Sequence, residues 1–144
     1  MSGMHGYLRG CMLALAACIG LGVPVLAQDD ADLAVGKDVW DRAQCTNCHG
    51  SVGQGGLGSD YPYGPSFRNI TFDKETMALI VSCGLPGTPM PAWLQGAYTE
   101  VECYGMPLGS RPATGVPVRG IFTADEIKAL VDFIFATFVQ TPQP

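Results

Sequence analysis

The stretch Cys45-Thr-Asn-Cys48-His49 constrains the fold of this 144-residue chain more than any other feature. Two cysteines three positions apart lie about one turn from each other in a helix, and a histidine follows the second cysteine directly. Pairs with this spacing occur in zinc sites, in thiol–disulfide enzymes and at sites of c-type haem attachment. Which of these three kinds of site is present has to be inferred from the remainder of the sequence.

Helical periodicity is present in three segments, residues 30–44, 73–83 and 123–138. Thr123 and Glu126 predict a capping box at the start of the last segment, and Gly84 predicts the end of the second. The connecting segments are rich in glycine and proline, above all residues 50–67, which predicts irregular loops. We find no strand pattern and no internal repeat. Three helices joined by long loops cannot form a sufficient core alone, so a bound group is expected to complete it.

The three kinds of site make different demands on the chain. A zinc site needs four ligands, and no second Cys-x-x-Cys or histidine pair follows the first. A thioredoxin-like thiol pair expects a βαβ context, which the sequence does not indicate. Cys-x-x-Cys-His is the attachment signature of c-type haem, in which Cys45 and Cys48 form thioethers and His49 ligates the iron. The sequence favours one covalent haem c, with zinc and a redox dithiol as the weaker alternatives.

The first 27 residues predict an export signal. Arg9 precedes a short apolar run, and a small-residue cleavage site ends at Ala27. We expect a signal peptide over residues 1–27 and a domain over residues 28–144, located in the periplasm, where thiols pair readily. Two alternatives remain, a membrane anchor that is retained and a lipoprotein modified at Cys18 in the sequence "LAAC".

The charge of the chain limits its partners. The net charge is −5 at pH 7, and all 13 acidic residues lie after the predicted signal peptide. No basic cluster is present, so nucleic acid is not expected as a partner. The acidic balance predicts attraction to a partner with a basic patch, and therefore association that slows as ionic strength rises.

With these residues in place, the chain resembles the class I monohaem cytochromes c of bacteria over about residues 31–92 and 122–138. Besides "CTNCH", the resemblance rests on Gly36 and Trp40 in "GKDVW", at the positions of the family's first helix. Two residues match its contacts on the last helix, Leu130 and Phe133. The resemblance implies a small all-α fold of about three main helices around one covalent haem, with long loops. It also implies one-electron transfer without substrate chemistry, and hence no catalytic residue.

The resemblance assigns further site residues. "GPSF" is similar to the family's Gly-Pro turn, which implies that the Pro65 carbonyl accepts a hydrogen bond from His49. A methionine is expected as the sixth iron ligand. Met90, between two prolines after the Gly84 helix stop, is preferred. Met106 also precedes a proline and remains an alternative, as does an iron without a methionine ligand, whereas Met77 lies within a predicted helix.

The chain departs from the family in an insertion of about residues 94–121. The insertion contains Cys103, and Cys83 ends the helix before Met90. In an oxidising compartment these two cysteines are expected to form a disulfide, which would close a loop around Met90. The insertion is also a candidate docking surface.

The expected function is electron transfer between periplasmic redox proteins. A quinoprotein dehydrogenase as donor and an oxidase or another cytochrome as acceptor are suggested by analogy. Two alternatives are kept, a haem-bearing subunit of a membrane-associated oxidoreductase complex and an open-site haem protein that binds small ligands.

Overall fold

The structure is a computed structural model that describes residues 26–56, 60–110 and 115–140. It contains four helices and two strands, α1 Leu26–Arg42, α2 Thr46–His49, α3 Lys74–Cys83, β1 Ala92–Leu94, β2 Val118–Phe122 and α4 Ala124–Thr137. Nearly all of the predicted signal peptide, including Cys18, lies outside the described residues, so cleavage and lipidation remain predictions. No helix within the described ranges is both long and apolar enough to cross a membrane.

The three predicted helices correspond to α1, α3 and α4, and local sequence explains their ends. At the start of α4 the Thr123 hydroxyl accepts from the Glu126 amide and the Glu126 carboxylate accepts from the Thr123 amide, which confirms the predicted capping box. Asp73 caps α3 by accepting from the Thr76 amide at 2.9 Å. Helix α3 then ends at Gly84, as predicted, and the φ of 70° there favours glycine.

The prediction of a purely α-helical fold is wrong in one respect, because β1 and β2 form a two-stranded parallel sheet. Ala92 pairs with Val118 and Leu94 with Phe122, with an irregularity between the two pairs. The sheet joins the segment after Met90 to the end of the insertion. Neither strand shows alternation by itself, since each is short and its pairing partner is distant in sequence. The fold is therefore mostly helical with a small sheet.

Helices α1 and α4 pack closely at Gly36. A β-carbon at this position would collide with the Ala129 carbonyl and would lie 2.6 Å from the Phe133 β-carbon, so only glycine allows the approach. One turn later Trp40 is buried among aromatic rings, with the ring centroids of Phe138 and Phe67 at 5.0 and 5.8 Å. This packing fixes the end of α1, from which the Cys-x-x-Cys-His segment continues.

Candidate functional site

The Cys-x-x-Cys-His segment consists of the short helix α2 and of Cys45, the residue directly before it. The Cys45 carbonyl accepts from the His49 amide at 2.9 Å, which closes one helical turn and places both cysteines on it. The Trp40 indole donates to the Thr46 hydroxyl at 2.9 Å and ties this turn to α1. His49 is buried, with 8% of its surface exposed. The motif is therefore held rigidly at the centre of the fold.

The glycine-rich loop that follows packs against the backbone of α2. The Gly55 amide donates to the His49 carbonyl at 2.8 Å, and the Gly64 amide donates to the Cys48 carbonyl at 2.9 Å. A β-carbon on Gly64 would lie 2.6 Å from the Cys48 oxygen and 2.9 Å from Nδ1 of His49. Glycine is needed here for close approach, so the loop satisfies the last carbonyls of α2 without displacing the histidine.

The orientation of His49 is fixed from two sides. Its Nδ1 lies 3.0 Å from the Pro65 carbonyl oxygen. A carbonyl can only accept, so Nδ1 donates and Nε2 carries the lone pair. The Phe67 ring stacks on the imidazole at a centroid distance of 4.4 Å. Burial lowers the pKa of His49, with the Pro65 hydrogen bond acting in the opposite sense, so the ring is neutral at pH 7 with Nε2 available to a metal.

His49 faces an apolar cavity with a volume of about 120 Å³. Elements from the whole fold contribute its walls, including α1, α3, β1 and α4. The side chains that line it with His49 are mainly hydrophobic, Trp40, Phe67, Phe72, Ile80, Val81, Leu85, Trp93, Leu130 and Ile134, together with Cys45, Pro65, Met77 and Met90. The sequence did not indicate Phe72 or Trp93, since both lie in irregular segments where no periodicity marks a buried side.

The three candidate methionines lie in different places. Met90 and Met77 both line the main cavity, and Met77 is 2% exposed on α3. Met90 also lines a second cavity, of about 110 Å³, which it shares with Cys48 and His49. Met106 is absent from the described lining of both cavities, and its amide donates to the Cys103 carbonyl at 3.1 Å. Met90 is therefore the methionine that borders His49 in both cavities.

The loop that carries Met90 is closed by its own hydrogen bonds. The Leu85 amide donates to the Met90 carbonyl at 3.2 Å. The Thr88 hydroxyl donates to the Leu85 carbonyl at 2.7 Å and accepts from the Met90 amide at 3.2 Å. Prolines flank Met90 on both sides and restrict the backbone further. Little additional ordering is then needed to hold the Met90 side chain in place.

The insertion holds this loop at its base. A disulfide joins Cys83 to Cys103, with a Cα–Cα distance of 5.6 Å. The Tyr98 hydroxyl donates to the Cys83 carbonyl at 2.7 Å, and the Tyr104 hydroxyl donates to the carbonyl of Gly84. These two tyrosines were not identified from the sequence, which offers no pattern for them. Their hydroxyls satisfy carbonyls at the end of α3, a place where orphan acceptors are expected.

The other two uses of a cysteine pair fit the site poorly. Across the part of the chain that the structure describes, no group of three or more His, Cys, Asp or Glu could hold a metal ion. Burial raises the pKa of the Cys45 thiol to about 12. A redox-active dithiol instead needs a readily formed thiolate. Neither zinc binding nor thiol–disulfide exchange is supported by this geometry.

Comparison with known families agrees with the geometry. A family model described as "Cytochrome C oxidase, cbb3-type, subunit III" matches residues 31–106, more than half of the chain. The chain belongs to this cytochrome c family. The match runs from α1 through the Met90 loop to Met106, and it leaves out β2 and α4. No curated protein and no solved structure matches the chain. Cytochrome c domains carry covalently bound haem and transfer electrons, so this is the general activity of the chain.

The site of this cytochrome c domain fits the group that the family requires. The cavity is apolar, His49 presents a neutral Nε2, and Cys45 borders the cavity while Cys48 borders the adjoining one. These residues would hold haem c, through thioethers from the cysteines and a bond from His49 to the iron. The iron would supply a one-electron couple between its ferric and ferrous states.

Proposed function

We propose that this chain is an exported, monohaem cytochrome c that carries one electron between periplasmic redox proteins. One observation carries the proposal, namely that a histidine oriented by the Pro65 carbonyl and a methionine in a closed loop border the same apolar cavity. The chain contains a single Cys-x-x-Cys-His sequence, which supports one haem.

Each residue has a distinct task in this proposal. Cys45 and Cys48 would attach the haem covalently, and His49 would ligate its iron, made more basic by the Pro65 carbonyl. Met90 would be the second protein ligand, and two protein ligands would exclude substrate chemistry at the iron. The aromatic and aliphatic lining excludes water, which disfavours the more highly charged oxidised state. The tightly hydrogen-bonded loops limit reorganisation when the charge changes.

The periplasmic location is supported by the sequence of residues 1–27 and by the disulfide between Cys83 and Cys103, a bond typical of oxidising compartments. The partners in this proposal are redox proteins of that compartment. An oxidase or another cytochrome would serve as acceptor, and a dehydrogenase as donor.

A second candidate function follows from the family match. Since the matching family is a subunit of an oxidase, the chain would act as a haem-bearing subunit within a membrane-associated complex. Electron transfer through His49 and Met90 would be the same in both cases, but the protein would remain with its complex. Fractionating cells and sizing the mature protein separates the two, since a soluble carrier leaves the membranes in its own small peak.

The test of electron transfer begins with the cofactor. Acid–acetone should leave the haem attached to the purified protein, and replacing Cys45 and Cys48 with alanine should abolish assembly. The holoprotein should cycle reversibly between ferric and ferrous states in a redox titration, as a one-electron couple. Extraction of the haem would contradict covalent attachment, and rapid cyanide binding to the ferric protein would favour an open-site haem protein.

A further inference from the structure

A surface groove lies beside the haem-binding cavities and is formed in part by the insertion. Prolines and polar residues of the α2 region complete its walls. The side chains that matter to its chemistry are Arg42, Cys48, Tyr61, Trp93, Arg119 and Ile121. Two of them, Arg119 and Ile121, come from β2. We call this surface the arginine groove.

The arginine groove is the outer side of the electron-transfer site. Cys48 lines both the groove and the second cavity, and Trp93 lines both the groove and the main cavity. The Trp93 ring packs against Phe122 at a centroid distance of 5.6 Å, which anchors it to β2. A partner seated in the groove would therefore be separated from the cofactor site by single side chains.

The floor and rim of the groove have the composition of an interface. Tyr61 and Ile121 are 53% and 51% exposed, and two exposed prolines, Pro62 and Pro89, line the groove with them. Aromatic side chains and arginine are the residues that most often dominate binding energy at interfaces. A contact limited to this groove would be small, as the interfaces of transient redox complexes are.

The charge of the groove is opposite to that of the chain. It is lined by two arginines and by no acidic residue, whereas the chain as a whole has a net charge of −5. Arg42 is compensated, because it lies 2.7 Å from Asp38 and 2.6 Å from Glu126. Arg119 is exposed and forms no ion pair with any residue that the structure describes. The uncompensated charge at the groove is therefore positive.

We propose that the arginine groove docks the redox partner, and that this partner places a carboxylate against Arg119 beside an apolar centre. The inference rests on the proposed electron-transfer function and assigns its contact surface. It also revises the sequence-based expectation of a partner with a basic patch. The partner's charge is now inferred from the positive groove and not from the negative net charge of the chain. The insertion then serves recognition through β2.

The first experiment measures the local charge with small oxidants. Reduced holoprotein is mixed by stopped flow with hexacyanoferrate(III), an anion, and with tris(phenanthroline)cobalt(III), a cation. Arg119→Gln should slow oxidation by the anion about fourfold at 0.01 M ionic strength, assuming a trivalent anion about 10 Å away in water. It should speed oxidation by the cation, and Arg119→Lys should restore the original rates.

The matched control is Lys128→Gln, which changes the net charge equally. Lys128 lies on α4 in a different surface cleft, between α3 and α4, where its ammonium group pairs with Asp132 at 2.7 Å. Its substitution should leave both rates within about 1.5-fold if the contact is local, because a charge far from the contact acts more weakly with distance and is partly screened even at this ionic strength. Equal responses to Arg119→Gln and Lys128→Gln would overturn the proposal, since net charge would then control the encounter.

The second experiment uses the physiological oxidant. Membranes of the native host are supplied with reduced holoprotein, and the rate of haem oxidation is followed across a salt series. Arg119→Gln should slow oxidation at low salt, and Lys128→Gln should not. Unchanged oxidation in Arg119→Gln would overturn the docking assignment while leaving electron transfer intact. A holoprotein that exchanges electrons with neither small oxidant nor membranes would instead refute the proposed function.

Discussion

Opening the Cys83–Cys103 disulfide should cost stability that can be calculated from the loop it closes. The two cysteines are separated by 20 positions. On the chain-entropy estimate, closing a loop of this length stabilises the folded state by about 3 kcal/mol at 25 °C. The Cys83→Ala/Cys103→Ala variant should lose at least this amount, because both sulfurs are buried and their removal also leaves space in the core.

The measurement is urea unfolding of the holoprotein, followed by far-ultraviolet circular dichroism. With a slope of about 2 kcal/mol/M, a loss of about 3 kcal/mol lowers the midpoint by about 1.5 M. Wild-type protein reduced with a phosphine is the matched control, since it has the same side chains without the bond. In the reduced wild type the free energy of unfolding should fall by the entropic contribution alone. The double variant should have a still lower urea midpoint.

The same loop carries Met90, so opening it should also affect the iron site. The hydrogen bonds from Tyr98 and Tyr104 to the carbonyls at the end of α3 do not involve the sulfurs, so both should persist in the reduced protein and in the double variant. The folded loop should therefore persist but open more often, and added imidazole should bind ferric protein more readily than in the wild type. A midpoint that shifts by less than about 0.5 M on reduction would refute the entropic reasoning, because the loop would then be equally constrained without the bond.

Three further outcomes follow from the geometry. Met90→Ala should abolish the absorption of methionine-ligated ferric haem, lower the reduction potential and admit cyanide, whereas Met106→Ala should do none of these; the reverse would assign the ligand role to Met106. Gly36→Ala should destabilise the protein by about 2 kcal/mol in chemical unfolding, since the added methyl group overlaps the facing helix, and a loss below about 0.5 kcal/mol would contradict this packing. Arg42 and the capping contact lower the pKa of Glu126 below its ordinary 4.5, so its contribution is present above that pH and is lost as the pH falls through the depressed folded value. Wild type should therefore be more stable than Glu126→Gln at pH 7 but equal to it at about pH 2, and a pH-independent difference would contradict the pairing.

Local chemistry made part of this site predictable from sequence. The capping box at Thr123 depends on residues three positions apart, so the sequence displays it directly. The spacing of Cys45, Cys48 and His49 likewise defines its own geometry within one helical turn. The family resemblance placed Gly36 in the first helix, and the structure shows why glycine is needed there, since the Ala129 carbonyl and Phe133 lie against it.

Long-range contacts between irregular segments could not be predicted in the same way. The pairing of Ala92 with Val118 joins two short segments, each with too few residues to show alternation. Trp93 and Phe122 become neighbours only through that pairing. The hydrogen bond from the Tyr98 hydroxyl to the Cys83 carbonyl likewise depends on the path of the insertion. For such residues the type of side chain indicates that it is buried, but the residues that it contacts are determined by the tertiary structure.

The close crossing of α1 and α4 also sets the order in which the fold can be completed. Gly36 and Phe133 are 97 positions apart in the sequence, yet a β-carbon on Gly36 would lie only 2.6 Å from the β-carbon of Phe133. Closing a loop of that length costs about 2 kcal/mol more entropy than closing one of ten residues, so local turns should form first and the two helices should meet late. A chain ending before α4 would keep the complete Cys-x-x-Cys-His segment but could not cover it. In hydrogen exchange, the amides of α1 and α4 should consequently lose their protection together, as one cooperative unit.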